Sequence, residues 1–453
     1  MQTNDQSTFD KLNMWMRNSL TIRILTICFL VLILLIPTLM VKDLITEREY
    51  RGNEAKNEVS SVWGQVQTLS GPVVSVPYRK HYLNDKKEVY TQIEYAHFLP
   101  EELDVKGEIT PEKRHRGIYD VVVYTADLNF SGSFKGFDFK EWKVDETEIL
   151  WDKAFLSLGV TDMRGIKENI VLKLNNEELS FNPGVESADV IATGISTYID
   201  LSAKKNEDVK NFSFQLNLRG SEEIYFSPLG KNTTVQIHSK WGTPSFKGAF
   251  LPDNSKITKD DFIANWKVLH LNRNFPQKWM GNTHNVADAA FGVSLLIPVD
   301  HYQKSTRSAK YAIMIIVFTF LVFFFVEVLN RTRIHPIQYL LVGLALIIFY
   351  SLLLAISEHI NFDFAYLISG IATIALVTFY SHSIFKKAKL TGFTALILFV
   401  LYSFIFVILQ LEDYALLMGS IGLFVVMAII MYLSRKINWY NFRNENSTDG
   451  TEA

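Results

Sequence analysis

Hydrophobic positions follow two regimes along this chain. Near the two ends they form unbroken runs, and in between they alternate with polar residues. Six runs approach or reach the ~20 residues that a helix needs to cross a bilayer: 22–41, 311–329, 337–356, 364–384, 392–411 and 414–434. A helix satisfies its backbone hydrogen bonds internally, as a lipid environment demands. The interval 42–310 reads differently. Phe212, Phe214, Leu216 and Leu218 alternate with Ser213, Gln215 and Asn217, and Phe262, Ala264, Trp266 and Val268 repeat the pattern. Period two predicts half-buried strands. "VLKLNNEELSF" predicts a hairpin turning at Asn175 and Asn176.

The expected fold is therefore a membrane protein with six transmembrane helices, one N-terminal and five C-terminal, and a large, mainly antiparallel, sandwich-like β domain. Its segments are a short N-terminus (1–21), the first span (22–41), the β-rich domain (42–310), the five-helix bundle (311–434) and a tail (435–453). Leu44, Ala55, Val59, Val62, Val66 and Leu69 fall near helical spacing, so the first span is expected to continue as a stalk until Gly71 and Pro72. "SFKG" occurs at Ser133–Gly136 and at Ser245–Gly248. Duplicated halves would leave such a trace, and chance also produces it.

Charge sets the expected orientation. Lys11, Arg17 and Arg23 precede or open the first span, Arg331 and Arg333 follow the second, Lys386, Lys387 and Lys389 the fourth, and Arg435 and Lys436 the sixth. The two other short loops, "SEHINFD" and Glu412–Asp413, contain neither Lys nor Arg. By the positive-inside rule both termini are cytoplasmic and the β domain is exported. No small-x-small cleavage motif follows the first run, which favours an uncleaved anchor. Trp439 and Tyr440 fit an interfacial aromatic belt.

Composition excludes more than it suggests. With 45 basic and 47 acidic residues the net charge is −2, so no global field recommends nucleic acid as a partner. The single cysteine, Cys28, cannot form an intramolecular disulfide or a thiolate metal site. The ten histidines show no H-x-x-x-H spacing, and no nucleophile elbow, dinucleotide turn or phosphate loop is present. "LGKNT" at 229–233 lacks the first glycine of a phosphate loop and reads as a turn. No catalytic residue, cofactor or metal is expected.

Candidate surfaces remain. Trp241, Phe246 and Phe250, interleaved with Gly242, Pro244 and Gly248, would form either an exposed loop for lipid or protein, or part of the domain core. Glu358 and His359 lie just beyond the ~30 Å that residues 337–356 use up as a helix. They are expected in an outer loop that docks the β domain or simply keeps the loops outside, rather than in a buried proton relay. Glu327, His335 and His382 fall near the inner ends of three spans, where they would meet in a polar cluster or reach water separately. Tyr350, Ser351, Thr373, Tyr402 and Ser403 bring hydroxyls near mid-depth.

The stretches "STRSAKYAIMIIVFTFLVFFFVEVLN", "RIHPIQYLLVGLALIIFYSLLLAISEHINF" and "INWYNF" resemble the CreD family, as do "LSLGVTDMRGI", "LNLRGSEEIYFSPLG" and "SKWGTPSFKGAFLP". That resemblance implies a multi-pass bacterial inner membrane protein with a periplasmic domain, associated with cell envelope integrity. It supplies no catalytic residues, cofactor or substrate. The expected partners are the lipid bilayer and another envelope protein or lipid bound by the periplasmic domain. A transporter or lipid-handling channel formed by the bundle is the alternative.

Overall fold

The computed structural model describes residues 20–202, 209–295, 301–330, 332–411 and 414–435. Lys11, Arg17, Arg331, Glu412, Asp413, Lys436, Trp439 and Tyr440 lie outside these residues. The chain divides into two compact units: Met1–Arg51 together with Val299–Ala453, and Gly52–Pro298.

Helix α1, Leu20–Trp63, contributes to both units. It ends earlier than the heptad-like spacing suggests, because Gly64 leaves helical geometry with φ near 146°. Val66 and Leu69 thus escape the helix, and Gly71 and Pro72 sit inside the first strand. Pro37 lies within α1, and beside it the Thr38 hydroxyl bonds back to the Leu34 carbonyl at 2.7 Å.

The remaining helices of the membrane unit are α2 (His301–Lys310), α3 (Ala312–Leu329), α4 (Pro336–Ser357), α5 (Phe362–Phe385), α6 (Ala388–Gln410) and α7 (Ala415–Ser434). Residues 301–310, read from sequence as the end of the β-rich segment, are instead a polar helix belonging to this unit. Their lack of an apolar run hid the helix. Local chemistry sets several boundaries. His335 caps α4 ahead of Pro336, whose missing N–H costs nothing at a first helical position. Asn361 caps α5, and Lys386 ends it in a left-handed conformation.

By length and composition, α1 and α3 to α6 are five helices able to cross a membrane; α7 contributes a shorter apolar stretch, Leu416–Tyr432. Phe29, Leu32, Met40, Phe379, Phe399 and Phe424 expose their side chains, as a lipid-facing surface requires.

The other unit is built on two sheets. The first runs β13 (Pro244–Gly248), β17 (Phe291–Leu295), β11 (Glu223–Phe226), β1 (Gln67–Leu83), β5 (Phe155–Val160), β9 (Gly194–Tyr198) and β8 (Asn182–Pro183). On β1 it also carries β2 (Val89–Phe98), and on β2 the short β16 (Lys278–Met280). The second runs β14 (Asn254–Ile257), β15 (Phe262–Leu269), β12 (Asn232–Ser239), β3 (Glu102–Arg116), β4 (Tyr119–Lys135), β10 (Val209–Ser221), β6 (Val171–Leu174) and β7 (Glu177–Ser180). Pairing among the described strands is antiparallel apart from β1 with β11 and β3 with β12.

Two passes of the chain, β1, β3, β4, β5 and later β11, β12, β15, β17, share the order first sheet, second, second, first, but β2 is inserted into the earlier pass and β13, β14 and β16 into the later one. The two "SFKG" copies do not occupy matching places in these passes, since one ends β4 and the other is the edge strand β13.

The alternation seen in β10 and β15 turns one face of each strand inward. Phe214, Leu216, Leu218, Phe262 and Trp266 of the second sheet join Val74, Leu156, Ile224 and Phe291 of the first in one hydrophobic core. Burying each such side chain contributes about 1.5–3 kcal/mol.

Candidate functional site

Helix α1 buries a narrow stripe, apolar at Leu30, Leu34, Val41 and Ile45 with Thr38 among them, against its unit. The spacing of three and four residues keeps these side chains on one face. Gly343 of α4 makes room for it, because a Cβ there would come within 2.2 Å of Leu34 Cδ1 and 3.0 Å of Phe320 Cζ.

Each end of the stripe is fastened by charge. Arg23 Nη1 lies 3.1 Å from Glu327 Oε1 of α3, and the Tyr339 hydroxyl of α4 donates to Glu327 Oε2 at 3.0 Å. The Glu327 side chain is 6% exposed and that of Arg23 25%. The backbone of Ile334 adds a further hydrogen bond, so three helices and the segment before α4 share one carboxylate that has left water and needs these partners. Twenty-five residues on, or ~37 Å along a helix at ~1.5 Å per residue, Arg48 Nη1 stands 3.9 Å from Glu358 Oε2. The hydroxyl of Tyr302 in α2 donates to Glu358 Oε1 at 3.3 Å.

The C-terminal end of α1 has its own socket in the β domain. Arg116 reaches Glu58 through Nε at 3.1 Å, and Arg164 Nη1 donates to the Ser61 carbonyl at 2.6 Å. A guanidinium on the last carbonyls also complements the helix dipole. Arg164 is held by Asp162, with Nε–Oδ1 and Nη2–Oδ2 both 2.9 Å, and Asp162 Oδ2 accepts the Gln65 N–H at 3.0 Å. The Arg164 bonds, aided by Gln65, outweigh burial and hold the Asp162 carboxyl below its usual range. The Trp63 ring lies between the guanidiniums of Arg114 and Arg219, 4.7 and 4.5 Å from its centroid. Its Nε1 donates to the Tyr124 carbonyl at 3.3 Å.

Of the residues singled out from sequence, Glu358 caps α4 and joins the Arg48 and Tyr302 contacts, while His359 beside it is exposed. Trp241, Phe246 and Phe250 are partly buried and pack against the domain core. Phe246 stands edge-on to Phe262 and Trp266, Phe250 edge-on to Phe291, and Lys113 lies over the Trp241 ring. They line the core more than they form a free surface. Glu327, His335 and His382 do not converge: His335 serves the α4 cap, and His382 lies 3.4 Å from the Thr391 hydroxyl. Tyr350 and Tyr402 both pack edge-on against Phe349, and among the described residues their buried hydroxyls have no hydrogen-bond partner; Tyr366 donates to the Tyr402 carbonyl.

One polar arrangement escaped the sequence entirely. Trp279, His97, Ser75, Phe155 and Tyr198 form a row across five strands of the first sheet. Within it Ser75 Oγ lies 2.8 Å from His97 Nδ1, and His97 Nε2 is 3.2 Å from Asp189 Oδ2. Burial pushes the His97 pKa down, against the opposing pull of Asp189. Serine, imidazole and carboxylate are the residue types of a nucleophilic triad. Here Ser75 and His97 are 3% and 1% exposed, so the contacts serve to fasten the segment carrying Asp189. Among the described residues, no three His, Cys, Asp or Glu side chains are grouped to hold a metal ion.

A family model described as "Inner membrane protein CreD" matches residues 19–440. The chain is also similar to the inner membrane protein CreD of Escherichia coli (strain K12), 32% identical over 417 residues that cover 91% of this chain and 92% of that protein.

Proposed function

The chain belongs to the CreD family of inner membrane proteins, and from that premise we propose that it supports the cell envelope by holding a periplasmic β sandwich against another envelope component. In this reading six helices span the membrane, α7 being the sixth, and both termini are cytoplasmic. Helix α1 is the strut. The observation that carries the proposal is its fastening at three levels: Arg23 to Glu327, Arg48 to Glu358, and the Trp63 socket. A flexible tether would need none of them. Binding rather than catalysis is the proposed role of the sandwich, with an envelope protein or lipid as its partner. Crosslinking in intact cells from the β domain of the full chain tests this: a recurrent envelope partner supports the proposal, and repeated failure to recover one at any surface position defeats it.

A second reading, a transporter or lipid-handling channel, draws on the unpartnered hydroxyls of Tyr350 and Tyr402 and on the Ser369 hydroxyl, also buried without a partner, in helices α4, α5 and α6. Such groups are costly in an apolar bundle unless something bonds them. Reconstituted vesicles showing neither flux nor lipid scrambling would remove this reading.

A further inference from the structure

The β1–β2 hairpin extends beyond the rest of its sheet. Pairing of β1 with β5 ends at Ser75, and pairing of β2 with β16 covers only Ala96 to Phe98, whereas β1 and β2 stay paired out to Leu83 and Val89. A two-stranded ribbon is marginal alone, and this one is braced. Tyr82 stacks on Tyr90 at 5.6 Å, and Glu94 gathers the Tyr78 hydroxyl at 2.5 Å, Lys80 Nζ at 3.0 Å and the Tyr82 hydroxyl. Burial would raise the Glu94 carboxyl, but these bonds outweigh it and hold it below its ordinary range.

The outer edge of β2 can be followed group by group. The Leu99 N–H donates to the Gln277 carbonyl at 2.9 Å, and the Tyr95 carbonyl accepts the Gly281 N–H at 3.0 Å, so odd-numbered residues turn their backbone groups away from β1. Beyond Tyr95 the outward residues are Ile93, Thr91 and Val89. Gly281, at φ 67°, turns the chain away after β16, and among the described strands none pairs with this continuing edge. The side chains beside it are exposed and largely apolar: Val89 is 67% exposed, Ile93 50%, and Leu83, across from Val89, 70%.

We propose that this edge of β2, from Val89 to Ile93, receives an extended segment of another protein as an added strand continuing the line of β16. A row of outward N–H and C=O groups is complemented by an extended backbone, and alternate apolar side chains supply selectivity. The inference rests on the reading that the β domain binds an envelope component, and it names that component's contact as a strand.

The backbone pattern supplies a selective perturbation. Thr91→Pro and Ile93→Pro each delete an outward N–H and leave the backbone hydrogen bonds to β1 in place. Thr91→Val keeps the N–H, and both Thr91 variants alike lose the 2.9 Å contact of the Thr91 hydroxyl with His81 Nδ1. With a photoreactive phenylalanine derivative at Gln92 of the full chain in intact cells, a discrete protein adduct is expected. It should persist in Thr91→Val and fall about tenfold in either proline variant, as loss of a hydrogen bond with added steric conflict implies. Resistance of residues 79–94 to protease identifies which proline variant keeps the hairpin folded. Adducts unchanged in that variant, adducts with lipid alone, or no adduct would each overturn the strand. The same protein captured from other positions on the β domain would, in that event, leave the wider binding reading standing.

Discussion

Removing Arg23 should cost the protein more than removing Arg23 and Glu327 together. The Glu327 side chain is 6% exposed and is satisfied by Arg23, Tyr339 and the backbone N–H of Ile334, so Arg23→Met leaves a buried carboxylate with two neutral hydrogen bonds and no counter-charge. Breaking a fully buried pair costs roughly 3–5 kcal/mol. Arg23 is 25% exposed, which discounts the figure to about 2–3 kcal/mol. Arg23→Met combined with Glu327→Leu removes both charges and keeps the volume, leaving only the neutral Tyr339 hydroxyl and Ile334 N–H unpaired, a smaller cost than an unpaired buried charge. The double-mutant cycle should therefore return a coupling of about 2 kcal/mol. At the other end, Arg48 and Glu358 stand 3.9 Å apart with Arg48 39% exposed, and their cycle should give under about 1 kcal/mol. Unfolding of the full chain in mixed micelles by graded SDS, followed by the helical circular dichroism signal, measures both. Additive single effects at Arg23 and Glu327, or a larger coupling at Arg48 and Glu358, would refute the reasoning.

Gly343→Ala should destabilise the same unit by about 1–3 kcal/mol through overpacking against Leu34, and Leu34→Ala should restore part of the loss when combined with it, as the same SDS titration would show. Because burial lowers the His97 pKa, the folded state binds a proton less readily than the unfolded chain, so this contribution is complete above the ordinary histidine value of about 6.5 and is lost as pH falls below it. Limited proteolysis of the β domain across that window should show the loss, and His97→Gln should flatten it. Trp63→Ala removes two guanidinium stacks and one hydrogen bond, about 1–2 kcal/mol, and should raise hydrogen exchange at the C-terminal turn of α1. Arg273 is buried, its pKa pushed down to about 10 by desolvation, and donates to the carbonyls of Leu229 and Phe275. Arg273→Met should cost about 2–4 kcal/mol by orphaning them, and Arg273→Lys should not fully rescue the thermal midpoint, since one ammonium cannot reproduce the guanidinium fork.

The membrane helices were legible because lipid imposes a length and forbids charge at depth, and both constraints are written locally in the sequence. Strands such as β10 and β15 were legible for a similar reason, as one solvated face forces a period of two. What stayed hidden depends on partners distant in sequence. Nothing near Glu327 announces Arg23, and the histidines at 335 and 382, closer in sequence than Arg23, drew attention instead. Phe246 was ambiguous until Trp266 and Phe262 were seen beside it. His97 was one scattered histidine, and Asp189 lies in an irregular segment without periodicity. Helix α2 was missed because its residues are polar on most sides, and the end of α1 was misplaced because Gly71 and Pro72 are stronger stop signals on paper than Gly64.

The central claim is that Leu20–Trp63 forms one unbroken helix. Spin labels at the exposed positions Met40 and Val62, in the full chain with Cys28 replaced by serine and reconstituted in lipid nanodiscs, would test it directly. Those positions are 22 residues apart within one helix, which gives ~33 Å between backbones at ~1.5 Å per residue. A single narrow distance distribution near that value is the predicted result, and a broad distribution reaching well below it would contradict a continuous helix.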